Sequence, residues 1–202
     1  MGKAYTEQEK EKIKNSLVQE GIRLFRERGL KSVSIRTLTQ TVGISQGGFY
    51  TFFEDKEDFI TYLIELRVSQ KLELRKEHLE DSLKDPVKYI SDLIYDEGMH
   101  LKENKGFNNM ISDSLKYYLF EIMPRQRNNG SQYRNFFNTM VEYWKEHNIM
   151  VSIDIDGLYA VMNAAMLLFM NADLVDQNYF ATIYRNFVDA NVKDYIRVQR
   201  DA

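Results

Sequence analysis

Ser34, Arg36 and Thr37, followed by Ser45, Gln46, Gly47, Gly48, Tyr50, Thr51 and Lys56, gather hydroxyl, guanidinium, amide and ammonium donors into one short stretch. These are the groups that meet a nucleic-acid duplex. Gln46 carries the amide that bonds an adenine edge bidentately, and Arg36 has the fork that fits a guanine. Tyr50 and Thr51 offer hydroxyls to backbone phosphate, or a methyl contact to thymine, and Lys56 a point charge at a helix start. Gly47 and Gly48 weaken a helix but let its backbone come close to DNA. Tyr50 also fits an aromatic core and Gln46 a solvated surface, so the residues must be read with the elements that carry them.

Those elements are two very short helices. Ser34 caps one, with Ile35, Leu38 and Val42 as its inner face; Gly43 breaks it, and Ser45 caps the next. So little chain buries too little apolar surface to fold alone, and the pattern reads as a helix-turn-helix whose second helix enters a DNA groove. A longer helix precedes it, opened by the capping box Thr6-Glu7-Gln8-Glu9 and lined by Ile13, Leu17, Gly21 and Leu24. Gly29 is placed to end it in the left-handed conformation. Phe49 and Phe53 are expected to pack on this first helix, and Asp55-Lys56-Glu57-Asp58 opens a fourth, running to about Leu79.

From Asp85-Pro86 onward, helices are expected at roughly 86–103, 107–122, 132–148, 155–174 and 178–198. No stretch of four residues alternates convincingly as a strand. The expectation is an all-α protein of about nine helices, with a three-helix head and a C-terminal helical bundle. Residues 1–55 would bind DNA, and 56–202 would serve effector binding and dimerisation. Charge is divided in the same way. Residues 1–53 hold nine Lys/Arg against five Glu, while the remainder holds 18 positive against 25 negative side chains, within an overall −3. A basic head on an acidic body suits a protein whose head alone meets phosphates.

The head resembles the TetR/AcrR family of bacterial transcriptional regulators. The resemblance rests on Ile22-Arg23-Leu24-Phe25, Gly29-Leu30, Val33-Ser34-Ile35, the run Val42 to Phe53, and Lys56-Glu57-Asp58-Phe59. It covers about 50 residues, with glycine, aromatic and lysine positions in register. Thr41 stands where the family usually has alanine, and Gly48 and Phe52 replace its hydroxyl and polar residues, which narrows the set of polar readers and shifts weight toward DNA shape. The resemblance implies a ligand-responsive repressor, dimeric on double-stranded DNA.

Outside the head, Gly157, Ala160, Val161, Ala164 and Leu168, with Phe180, Ile183 and Phe187, would form the dimer interface, as in that family. Two heads about one DNA turn apart, roughly 34 Å, imply a palindromic operator. Tyr95, Met99, Phe107, Met110, Tyr117, Phe120, Phe137, Met140 and Trp144 are adaptable and aromatic enough to line a site for an apolar or aromatic effector, and equally suited to be core. No cofactor and no catalytic residue are expected. Glu97-Gly98-Met99-His100 gives one Glu-x-x-His pair where a di-iron bundle needs two. With no cysteine, no apolar signal core at Met1–Glu7 and a greasiest run, Leu158–Met170, too short to span a bilayer, a cytoplasmic location without membrane contact is expected. An interaction module that no longer reads DNA is the competing reading, and a helical enzyme a distant one.

Overall fold

The computed structural model describes residues 5–29, 33–103, 117 and 131–199. Among them run helices α1 (Glu7–Arg28), α2 (Ile35–Val42), α3 (Gln46–Phe49), α4 (Lys56–Lys76), α5 (Pro86–Glu103), α6 (Ser131–Glu146), α7 (Ile155–Met170) and α8 (Gln177–Tyr195). Short 3-10 turns occupy Leu79–Leu83, just past the expected end of the fourth helix, and Ala172–Leu174, where the helix expected at 155–174 was to continue. The expected helix at 107–122 lies outside the described residues except for Tyr117, which is helical. The described residues are all-α apart from one small sheet.

That sheet corrects the strand-free expectation. β1 (Met150–Ile153) and β2 (Ile196–Gln199) pair antiparallel, with Val151 opposite Val198 and Ile153 opposite Ile196. Asn148 takes a positive φ after α6, and so turns the chain from helix into β1. α8 ends at Tyr195 because the next residues pair with β1 instead of continuing the helix, burying Ile196.

The described chain forms two compact units, Met1–Arg67 with Asn109–Arg127 and Val68–Asn108 with Asn128–Ala202, so the dividing point falls within α4. In the first unit, α1 begins at the predicted capping box: Glu9 N–H donates to Thr6 Oγ1 at 3.2 Å, and Thr6 N–H to Glu9 Oε2 at 2.8 Å. At its end Gly29 has φ 78 and ψ 164, a positive-φ extended conformation and not the expected left-handed one. The core of this unit joins Leu17, Val18 and Leu24 of α1, Leu38 of α2, Phe49 and Phe53, and Phe59 and Leu63 of α4. Gly21 lets α1 and α4 meet. A Cβ there would lie 2.5 Å from Phe59 Cζ and 2.9 Å from Leu63 Cδ1.

The second unit packs α5, α6, α7 and α8 around Ile90, Leu93, Phe136, Phe137, Met140, Trp144, Leu158, Phe180 and Tyr184. Two glycines again mark close approaches, Gly98 against the Tyr184 ring and Gly157 against the Tyr195 ring. Trp144 is fully buried and donates its indole N–H to Ser82 Oγ at 2.8 Å, which satisfies a polar group that burial would otherwise penalise. Arg185 ties α8 to α5 by donating to Asp92 Oδ1 at 2.6 Å, and its guanidinium sits 5.2 Å from the Tyr95 ring centre.

The packing at Gly21 makes a sign-reversing prediction. Alanine favours a helix over glycine, yet Gly21→Ala should destabilise the protein by about 1–3 kcal/mol, because its methyl overlaps the Phe59 ring. Urea unfolding followed by circular dichroism measures this; unchanged or increased stability would contradict the packing account.

Candidate nucleic-acid interface

The α2–turn–α3 segment is held by local hydrogen bonds that the residue types dictate. Ser34 Oγ accepts from Thr37 N–H at 3.5 Å and Ser45 Oγ from Gly48 N–H at 3.1 Å, so both serines act as helix caps. Between them Gly43 adopts the left-handed conformation, φ 80 and ψ 30, and its N–H reaches Thr39 O at 2.9 Å. Thr39 is buried and donates to Ile35 O, while Thr41 donates to Thr37 O. These bonds close α2 upon itself and leave the turn to glycine.

Phe49 is the inward anchor of α3. Fully buried, it meets Phe53 at 5.5 Å and Phe59 edge-on at 5.6 Å between ring centres. Phe52 is half-buried against the same core, so its departure from a polar residue serves packing. Around this anchor the other side faces out. Ser45, Gln46, Gly47 and Thr51 are exposed, as is Arg36 on α2, and Tyr50 is 56% exposed with its ring standing edge-on to Phe49. Tyr50 is therefore not core. Ser34, Thr37, Gly48 and Lys56 are half-buried.

The charges behind this face are arranged by α1 and α4. Arg23 grips Glu20 at 2.6 Å and Glu27 at 2.6 Å, and that hydrogen bonding holds the nearly enclosed Glu20 carboxyl below the usual carboxylate range. Lys14 lies 4.4 Å from the Tyr62 ring centre, a cation–π contact from α1 to α4 that residue spacing alone did not signal. At the start of α4, Asp55 accepts from Asp58 N–H at 2.7 Å and Asp58 from Glu54 N–H at 3.0 Å. Glu57 accepts from the Tyr117 hydroxyl at 3.3 Å. Three of the acids beside Lys56 are thus occupied with internal hydrogen bonds.

The remaining candidates are sorted by burial. Of the nine effector candidates, Phe107, Met110 and Phe120 lie outside the described residues. Phe137, Met140 and Trp144 have no exposed surface and interlock in the second core, so they line no open cavity here. Tyr95 and Met99 are partly buried against that core, whereas Tyr117 packs on Ile60 in the first unit. Among the dimer candidates, Val161 and Phe180 are turned into the second core and Gly157 faces Tyr195 of its own chain; these three are corrected to intrachain roles. Ala160 and Ile183 are exposed, and Ala164, Leu168 and Phe187 half-exposed. Leu167, Leu174 and Tyr179, which the sequence did not single out, are exposed beside them at 42%, 84% and 63%. Glu97 pairs with Lys71, and no three His, Asp or Glu side chains converge among the described residues.

A capped α2, a left-handed glycine turn and a four-residue α3 pinned by one phenylalanine define a helix-turn-helix DNA-binding head. Residues 17–63 match the model of the bacterial regulatory proteins of the tetR family, so the head is similar to the DNA-binding heads of those regulators. It is 22% identical over 188 residues to the uncharacterised helix-turn-helix-type transcriptional regulator YwcC of Bacillus subtilis (strain 168), covering 87% of this chain and 81% of that one. Its fold is that of a TetR transcriptional regulator from Rhodococcus sp. RHA1, at 13% identity and TM-score 0.59, covering 93% and 98% of the two chains. A second such likeness is RolR in complex with resorcinol, at 17% identity and TM-score 0.55, covering 94% and 90%. No helix of the described residues is long and apolar enough to cross a membrane.

Adjacent aromatic residues should separate anchor from reader. Phe49→Ala removes a buried ring and should cost about 3–5 kcal/mol. Tyr50→Ala removes an exposed one and should cost about 0.5 kcal/mol or less. Urea titration of both variants checks this, and equal costs would show that Tyr50 is core.

Proposed function

We propose that this regulator is a ligand-responsive repressor. As a two-fold dimer it binds a palindromic operator through residues 34–53, and it acts in the cytoplasm without enzymatic activity. In this reading residues 1–55 contact DNA, while 56–202 dimerise and receive the effector. The observation that carries it is the outward row Arg36, Gln46, Tyr50 and Thr51 set over a fully apolar anchor. Base-edge chemistry fits Gln46 and Arg36, and backbone contacts fit Tyr50, Thr51 and Lys56. Ser34, Thr37 and Ser45 hold the caps that present this row.

Dimerisation is supported by the second apolar side of α7 and α8, where Ala160, Leu167, Tyr179 and Ile183 face outward. Isologous packing of that side against its copy would bury it. Effector binding is assigned to the second unit near Tyr95 and Met99, in a fold that in RolR takes the ligand resorcinol. The ligand would act by differential affinity for two settings of α4, whose first turns belong to the head and whose last turns belong to the second core.

A gel shift on the DNA flanking the protein's own gene should give a sequence-selective complex that weakens with salt. Tyr50→Ala and Lys56→Ala should weaken all sequences alike, whereas Gln46→Ala should relax preference at one base pair by about 1–3 kcal/mol. No selective shift at any flanking segment would overturn the assignment. For the dimer, Ile183→Glu places a charge on the exposed apolar side and should give a folded monomer in sedimentation velocity; an unaffected dimer would remove α8 from the interface.

A further inference from the structure

The two glycines of the reading helix are not equivalent. Neither is demanded by the fold: a Cβ at Gly47 would find only Ser45 Oγ at 3.8 Å, and one at Gly48 only ordinary contacts at 3.5–3.7 Å with Ser45 and Ile44. Their φ values are not in the positive region where glycine is required. Packing therefore accounts for Gly21, Gly98 and Gly157, and backbone conformation for Gly43, but neither accounts for Gly47 or Gly48.

Direction separates them. Residues of a helix turn by about 100° each, and the fully buried Phe49 marks the inward direction of α3. Gly47, two positions earlier, points about 200° away and so lies on the outermost line of the helix. Gly48 lies on the flank, where an added methyl would rest on Ile44 of its own chain. Exposure agrees, with Gly47 exposed and Gly48 half-buried.

We infer that Gly47 is a specificity-determining residue, the point at which the head comes closest to the base edges of its operator. This rests on the DNA-binding reading of the head. A bare backbone at the apex lets the groove floor approach α3, so that Gln46 before it in the chain and Tyr50 and Thr51 after it reach bases and phosphates. A methyl at the apex meets the one base edge that the bare backbone faces, and so penalises that base above others. A methyl on the flank at Gly48 is absorbed within the protein.

The test uses the full-length protein and a duplex of about 20 base pairs enriched by the wild type from a random library, long enough for two half-sites. Gly47→Ala, Gly48→Ala and the wild type are compared by fluorescence anisotropy at one salt concentration and by thermal melting. Both variants should melt at or above the wild-type temperature, since alanine suits a helix better. Gly47→Ala should bind the enriched duplex about tenfold or more weaker, and Gly48→Ala within about threefold of the wild type. Repeating the enrichment with Gly47→Ala should change the preferred base at one position in each half-site. Equal losses for the two variants, unimpaired binding by Gly47→Ala, or a weaker complex with unchanged base preference would overturn the inference while leaving DNA binding intact. A lower melting temperature for Gly47→Ala would also overturn it, by showing that the fold itself needs the glycine. If the wild type enriches no sequence, the DNA-binding reading fails, and this inference with it.

Discussion

The absence of a side chain at Gly21 sets the distance between α1 and α4, and the geometry of the head follows from that distance. The Phe59 ring fills the space a Cβ would take, and Phe59 in turn touches Phe53 at 4.8 Å and Phe49 at 5.6 Å between ring centres. Phe49 is the one fully buried side chain of α3. A missing methyl on the first helix thus positions α3, through two aromatic contacts. α2 and α3, at eight and four residues, are too short to be stable alone and inherit their order from this aromatic stack.

The same economy governs the polar groups. Ser34 and Ser45 look like readers by residue type, but each hydroxyl accepts a backbone N–H and acts first as a cap. Lys10 is paired with Glu7, and Arg23 with Glu20 and Glu27, so part of the positive surplus of the head is neutralised along α1. The attraction for phosphates must come from fewer cations than composition suggests, and the discrimination from fewer side chains. Exposed pairs of this kind contribute little to stability, and their larger effect is on where the net charge resides.

What the sequence made legible is what local rules control. The Thr6–Glu9 box, the Ser45 cap, the Gly43 turn and the proline start of α5 all depend on residues within four positions, and all stand where expected. Long-range choices were not legible. Helical spacing marked Val161, Phe180 and Ile183 as apolar alike, but only tertiary packing turns the first two inward and leaves Ile183 out. Phe137, Met140 and Trp144 have the composition of a ligand site. Their burial, and the bond from Trp144 to Ser82 62 positions away, make them core. The sheet escaped because four residues are too few for an alternation to register, and because β1 finds its partner only after α7 and α8 have brought the chain back.

α8 is apolar on two sides, and this joins the head to the rest of the molecule's function. Phe180, Tyr184, Val188 and Val192 fill the second core, while Tyr179 and Ile183 stand in solvent with Leu167 of α7. Asn186, Lys193 and Asp194 keep other parts of the α8 surface polar, so Tyr179 and Ile183 form a limited apolar side that a single copy leaves uncovered. Pairing with a second copy would provide an interior for it and link two heads in one molecule. The gain matters because α3 offers few side chains. On the proposed reading, one head with a handful of polar residues would read a short half-site weakly, whereas two linked heads would bind the second half-site at the high effective concentration of an intramolecular step. On this argument the sparse reading helix and the doubly apolar α8 are complementary, and neither is sufficient without the other.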